Sequence, residues 1–416
     1  MTSAAQPAKP PAPQLRAPVT KLLNPERLRL VAYCWIVIAA ITFVVDLVAR
    51  ARVGPTDGIR DPICADFINY WSGAYLALRG RAAEVYDFVA FHDFQASLGG
   101  PQIDFHHYSY PPVLLLLTAP LALLPYVPAF FVWLASTWYG FYRALKLAAG
   151  DKALVLSLAA PAVFVNALTG QNGALTAALL GGGLLLVDRR PTMAGILFGL
   201  LIYKPHLALM LPVAMIAGRR WRVIGAAGAT ALLLIAASIV IFGPAVWVEY
   251  QHNLSVLRTV ILEDGSGVWH RMVSVFVLVR RLGGGVELSY ALQTVCAVVA
   301  ALVVGWTWLR NDPAHIRNAL VLVGTCLATP YLQDYDLVFG AFVTVWLKNA
   351  RQDSQIGAQW FDAGIAMVLL LPLVAASLAS LTGLALGPLF LVLPFVLLCA
   401  VAAEQRRGPS PSWSVD

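Results

Sequence analysis

The sequence predicts an all-α polytopic membrane protein, a helical bundle of about twelve transmembrane helices whose first loop is extracytoplasmic. Three observations predict it. The 416 residues are 59% hydrophobic and only 12% charged, with a mean hydropathy of +0.72. A soluble domain of this length carries roughly twice that charged fraction. The apolar residues fall in long runs separated by short polar breaks, the pattern of spanning helices. The breaks also alternate in character along the chain.

Residues 1–29 are basic and rich in Pro and Ala, and read as a disordered cytoplasmic tail. No cleavable signal peptide is evident. The first apolar run, about Leu30 to Ala49, is long enough to span and reads as a retained helix. Residues 30–403 then form the transmembrane domain, and residues 404–416 a second cytoplasmic tail. One set of breaks is short and basic: "RALKLAAGDK", "DRRP", "GRRWR", "RNDPAHIR", "KNARQ" and "EQRRG". With the N-terminal tail, this set holds 19 of the 29 Lys and Arg residues. The other set is longer or richer in Gly, aromatic and acidic residues: 50–110, "LTGQN", "YKPH", 243–288, "TPYLQDYD" and "LTGLALG". Lys and Arg beside spans favour the cytoplasm, so the basic set and both termini go inside.

Parity then requires one crossing between 110 and 147. "YVPAFFVWLASTWYGFYRAL" supplies it, and "PPVLLLLTAPLALLP", broken by Pro120 and Pro125, reads as a surface or re-entrant segment. Two outward turns are too close to their basic flanks. The 28 residues between Arg190 and Arg219 must go out and back. Each leg is about 21 Å, short of a ~30 Å hydrocarbon core. "YKPH" therefore lies below the outer surface, and so does "TPYLQDYD" between Arg317 and Lys348. Broken backbone and charge at that depth survive only beside a protein-walled, watery cavity. Lys204, Asp334 and Asp336 thus point to a cavity open to the outside.

Several function classes drop out. The five cysteines (Cys34, Cys64, Cys296, Cys326, Cys399) have neither metal-ligand nor redox spacing and read as small core residues. "GGG" at 181–183 and 283–285 lacks the spacing of a phosphate-cradling loop, and there is no nucleophile elbow. The net charge of +7 is distributed as loop charge, so no nucleic-acid partner is expected. "HHYSYPP" has adjacent histidines that rarely share one ion, and no metal is expected.

The outward set supplies the candidate chemistry. Asp66 leads a predicted helix over 66–79, whose stripe of Phe67, Tyr70, Trp71, Ala74 and Leu78 suits lying on the membrane. Asp66 is either its N-cap, a general base, or both. Lys204, ahead of helix-breaking Pro205, has an anion such as a lipid phosphate as its natural partner. Arg271 and His270 could serve the same anion, or be solvated loop charges. Gln171 and Asn172 could bind sugar hydroxyls or simply close a turn. Tyr108, Tyr110, Trp247 and Trp269 fit an aromatic belt. A carboxylate with a recessed cation suits transfer of a group from a lipid phosphate: the cation neutralises the departing phosphate, and the carboxylate takes the acceptor's proton.

Taken as an ordered set, "ADFINYWSGAYLALRGRAAEVYD", "YSYPPVLLLLTAPLALLP", "ALTGQNG", "LFGLLIYKPHLALMLP" and "ATPYLQDYDLV" resemble glycosyltransferase family 87, over about residues 30–348. The best-known members are mannosyltransferases that use polyprenol-phosphate mannose to build phosphatidylinositol mannosides. The resemblance implies a GT-C class membrane enzyme of the plasma (cell inner) membrane with an extracytoplasmic site. It further implies a polyprenyl-phosphate sugar donor, a lipid or glycan acceptor, an inverting single displacement and no cofactor beyond the donor. Carried over by motif, Asp66 would be the catalytic base and Lys204 would approach the donor phosphate. Gln171 and Asn172 would line the site, with Tyr110, Asp334, Tyr335 and Asp336 as further sugar or acceptor contacts. Mannoside-type members often carry histidine where this chain has Tyr335 and Asp336, which leaves the sugar and the acceptor open. A carrier or flippase for lipid-linked saccharides is the alternative, although no internal repeat favours it. A polysaccharide polymerase is another.

Overall fold

The computed structural model describes residues 25–53, 66–100, 103–265 and 267–405. Most of the two expected tails, and the part of the first loop that carries Cys64, lie outside the described residues. Among those described, every regular element is helical, and an isolated bridge pairs Met272 with Gln333.

Five helices are long and apolar enough to cross a bilayer: Glu26–Arg50, Trp221–Phe242, Val286–Leu309, Ala358–Thr382 and Gly387–Glu404. A sixth is counted if Tyr126–Ala159 and Pro161–Thr169, bent by 49°, act as one. A second class is apolar but only 10–17 residues long: Val113–Leu123, Gly173–Leu186, Pro191–Tyr203, Pro205–Ala217 and Ala314–Ala328. At 1.5 Å per residue these reach about 15–26 Å, less than the ~30 Å of a hydrocarbon core. The sequence therefore builds two kinds of helix, a lipid-facing set and a shorter set. Trp221–Phe242 illustrates the first kind, with many large apolar side chains turned outward.

The short helices share two ends. At one end the basic breaks gather: Asp188 receives Arg317 and Arg220, the latter at 2.7 Å. Asn311 accepts from both arginines, at 3.0 Å from Arg220. His315 meets Asp353 at 2.9 Å. At the other end the turns at Gln171–Asn172, Lys204 and Gln333–Asp336 converge. The alternation along the chain is thus two opposite poles of one bundle.

Close approach near the second turn rests on missing side chains. "GILFG" places Gly195 and Gly199 four residues apart on one face of the helix Pro191–Leu200. A Cβ on Gly195 would lie 2.5 Å from the Val223 carbonyl oxygen, and one on Gly199 2.5 Å from Cβ of Thr230. Small residues four apart let two apolar helices meet backbone to backbone, where packing replaces a hydrophobic driving force.

One expectation is corrected. The helix following Asp66, Phe67–Ala77, does not lie on a membrane surface. Its apolar stripe and its opposite face are both covered, and Leu78 alone of the predicted stripe is exposed. The opposite face is small, with Ser72 and Gly73, so Tyr108 and Leu115 pack directly onto Gly73, where a Cβ would meet them at 3.0 and 3.1 Å. Trp71 also donates to the Leu124 carbonyl at 3.0 Å. Tyr108 and Tyr110 are likewise buried rather than part of an aromatic belt.

Gly199→Val should therefore lower the stability of the purified protein by about 1–3 kcal/mol through overpacking, read as an earlier thermal unfolding transition in detergent. Gly225→Ala, with open space around its added methyl, should leave that transition in place.

Candidate active site

Three interrupted helices supply the deep part of the site, each broken for a local reason. Pro161–Thr169 ends at Gly170, which takes the left-handed conformation (φ 70°) that glycine adopts without steric cost. Trp133 donates to the Gly170 carbonyl at 3.0 Å, and Asn166 accepts the Gly173 N–H at 2.7 Å. A Cβ on Gly173 would sit 2.0 Å from the Tyr335 carbonyl oxygen, so the first turn rests directly on the third. The second break falls at Lys204, between two 3₁₀ turns (Leu201–Tyr203 and Pro205–Ala208). Pro205 disfavours helical geometry in the residue before it, and Lys204 sits at φ −142°, ψ 63°. The third is the 3₁₀ turn Asp334–Phe339, opened by a reciprocal cap between Gln333 and Asp336.

The three turns meet on one ammonium. Lys204 Nζ donates to Asp336 Oδ1 at 2.5 Å and to Asn172 Oδ1 at 3.0 Å. Lys204 is 1% exposed and Asp336 wholly buried. Asp336 accepts the Gln333 N–H on its other oxygen at 3.2 Å.

Nearer the mouth lies a second charged group. Arg271 donates to Asp334 through Nε and Nη2 at 3.0–3.2 Å, and its Nη1 is 3.6 Å from Asp66. Two backbone contacts bring Arg271 and Asp334 together: the Met272–Gln333 bridge and the Val273 N–H on the Leu332 carbonyl at 2.8 Å. Tyr335 separates the two groups, with Lys204 Nζ 4.7 Å and the Arg271 guanidinium 5.6 Å from its ring centre.

Asp66 occupies the N-cap position of the helix Phe67–Ala77, but its side chain makes no capping bond. Its carboxylate is 22% exposed, faces Arg271, and lies 3.7 Å from His106 Nδ1. Burial works against its charge. The nearby His106 and the positive Arg271 outweigh this, and the Gln171 amide assists, holding the Asp66 carboxyl below its ordinary pKa of 3.8. Burial likewise opposes the charge on Arg271, yet Asp334 and Asp66 raise its pKa above the usual value. Gln171 is itself held by two phenols: Tyr70 donates to its Oε1 at 2.5 Å and Tyr110 at 3.3 Å. A chain of polar contacts thus runs from the tyrosines through Gln171 to Asp66.

A cavity of about 510 Å³ is lined by Asp66, Tyr110, Gln171, Lys204, Arg271 and Tyr335. Asn172, Asp334 and Asp336 stand behind this lining, each bonded to a lining residue. His270, although next to Arg271, is not among the lining residues and is not brought to the site. Sequence reasoning missed His106, His107, Tyr70 and Tyr331. The histidines were weighed only as metal ligands, and nothing local marked Tyr70 as facing Gln171 across 101 residues. Burial, and then the nearby His106, push the His107 imidazole down to a pKa of about 4, so it is neutral at physiological pH.

A model of glycosyltransferase family 87 matches residues 108–330, just over half of the chain. The chain belongs to glycosyltransferase family 87. It is a membrane glycosyltransferase. No curated protein and no solved structure matches it. In this family 87 transferase the matched span carries Tyr110, Gln171, Asn172, Lys204, His270 and Arg271. Asp66 precedes the span and Asp334–Asp336 follow it, so these residues join the site by contact rather than by the match.

Two outcomes follow for stability. Lys204→Met leaves Asp336 as a buried unpaired charge and should cost about 3–5 kcal/mol. Adding Asp336→Leu should recover most of that loss, as read by thermal unfolding of the purified protein. The Asp66 carboxyl titrates lower folded than unfolded, so the stability it contributes is fully present above about pH 4 and is lost as pH falls through its folded value. The stability gap between wild type and Asp66→Asn should therefore be constant near neutrality and shrink only in strong acid.

Proposed function

We propose that this transferase moves a hexose, mannose by its resemblance, from a polyprenyl-phosphate donor to a lipid or glycan hydroxyl by an inverting single displacement. The observation that carries the proposal is one cavity in which the Asp66 carboxylate faces Arg271, with Lys204 also in the lining and Leu254, Leu257, Ile261 and Leu262 forming an apolar wall. An apolar wall suits a lipid-borne donor, and the cations suit its phosphate.

In this reading the acceptor hydroxyl attacks C1 of the sugar opposite the phosphate. Asp66 takes the hydroxyl proton as the new C–O bond forms. The bond from C1 to the phosphate oxygen breaks, and its electron pair leaves with the polyprenyl phosphate. Arg271, 21% exposed, is the cation that reaches the departing phosphate. Lys204, sealed against Asp336, contributes its field from behind Tyr335. Gln171 fixes the carboxylate, while Tyr110 and Tyr335 offer ring faces and hydroxyls to the sugar. The chemistry calls for no cofactor beyond the donor.

The same proposal orients the chain. The pole that gathers "DRRP", "GRRWR" and "RNDPAHIR" faces the cytoplasm and the cavity faces the extracytoplasmic side of the plasma membrane, because Lys and Arg flanking spans favour the cytoplasm. With the short helices included, the chain makes about twelve passages, several of them ending at the cavity rather than at the far surface.

Asp66→Asn should reduce transfer from a polyprenyl-phosphate hexose by about 10²–10⁴-fold while melting as a folded protein. An undiminished rate would remove Asp66 as the base. Arg271→Ala should raise the donor KM, and a KM unchanged from wild type would remove the phosphate contact.

A further inference from the structure

The candidate base has a neighbour that no part of the proposed reaction has yet used. His106 lines the cavity beside Asp66, with Nδ1 3.7 Å from Asp66 Oδ1. Its side chain is 10% exposed, and its Nε2 is buried without a hydrogen-bond partner. The segment that carries it is held rigidly on both sides. Phe105 stacks on His92 at 3.8 Å and His107 on Phe88 at 5.6 Å, while Asn253 donates to the Tyr108 carbonyl at 2.9 Å. With its neighbours clamped, His106 is left facing the carboxylate.

The charged surroundings of this pair are few. Arg271 faces the other oxygen of Asp66, His107 lies beside His106, and Asp104 lines the same cavity from the same segment. Asp66 is therefore pinned between a fixed cation and an imidazole. A carboxylate so placed is well oriented to take a proton but poorly suited to keep one, because Arg271 penalises the neutral acid.

We propose that Asp66 and His106 act as a dyad in which the acceptor's proton passes through the carboxylate and comes to rest on the imidazole. This rests on the transferase reading above and adds a positioning residue to it. As the acceptor O–H breaks, its proton moves to Asp66 Oδ1 while the phosphate departs with the electron pair of the broken C1–O bond. His106 then takes the proton from Asp66 at Nδ1, the ring nitrogen that faces the carboxylate. Asp66 returns to its charged form beside Arg271, and the imidazolium gives up the extra proton when the products leave. Between turnovers Asp66 is again a carboxylate, and the acceptor's proton has passed through His106 to water.

The test uses the full-length protein in nanodiscs, a short-chain polyprenyl-phosphate mannose radiolabelled in the sugar, and a native membrane-lipid extract as the acceptor pool. His106→Ala should lower kcat by about 10–100-fold with the donor KM within about threefold of wild type. Added imidazole should restore a measurable part of that loss. His106→Gln, which can hold a hydrogen bond to Asp66 but cannot carry the proton, should stay slow and gain nothing from imidazole. A wild-type kcat in His106→Ala, or full recovery in His106→Gln, overturns the dyad and leaves the transferase reading standing. A wild-type protein that transfers no mannose counts instead against the proposed function itself. Should the alanine variant lose its fold by thermal melting, the glutamine variant carries the same decision.

Discussion

The structure depends on a single buried contact, the ammonium of Lys204 on the carboxylate of Asp336 at 2.5 Å, with Asn172 completing the cradle. Three turns between short apolar helices end in broken backbone and polar side chains that the rest of the bundle buries. Separately, every such end would be an uncompensated charge or an unpaired amide. Brought together, a cation, an anion and an amide satisfy one another. The Gly173 backbone resting on the Tyr335 carbonyl makes this meeting steric as well as electrostatic. Buried ion pairs seldom add net stability over an apolar replacement. Here the pair specifies which three turns must touch.

That arrangement divides the charges of the site by depth. Lys204 and Asp336 neutralise each other almost out of reach of solvent, whereas Arg271, Asp66 and Asp334 share their charges where about a fifth of the Arg271 and Asp66 side chains remains exposed. Tyr335 stands between, presenting its ring to both cations. In the proposed reaction the deep pair serves as framework and background field. The shallow group is the part of the site whose charges remain partly open to solvent. The sequence reading gives Lys204 the approach to the donor phosphate, whereas its burial and its pairing with Asp336 are properties of the assembled site.

How far the site was legible follows from the range of each interaction. The short hairpins could be read by counting residues between basic flanks, and the three ionisable residues singled out by that count, Lys204, Asp334 and Asp336, are buried in the bundle. "GQN" and "YKP" could be read because a left-handed glycine and a pre-proline lysine leave local marks. Tyr70 could not, because its partner Gln171 is 101 residues away. The helix Phe67–Ala77 was misread for a related reason: a stripe of apolar residues predicts one covered face, but whether the other face is also covered depends on what packs against Gly73. His106 was weighed against a metal, while its actual neighbour is a carboxylate on another segment.

By itself, then, the sequence determined the helical membrane class, the two poles set by alternating basic and polar breaks, and the presence of ionisable groups at the turns between short apolar helices. These are one-dimensional properties: run length, charge placement and leg length. Only the tertiary structure decided that three turns share one ammonium, that Asp66 turns away from its helix to face Arg271 and His106, and that His270 stays out of the cavity. Those choices are made by contacts between segments dozens to more than a hundred residues apart, where the energy of a charge depends on its neighbours in space and no local spacing records them.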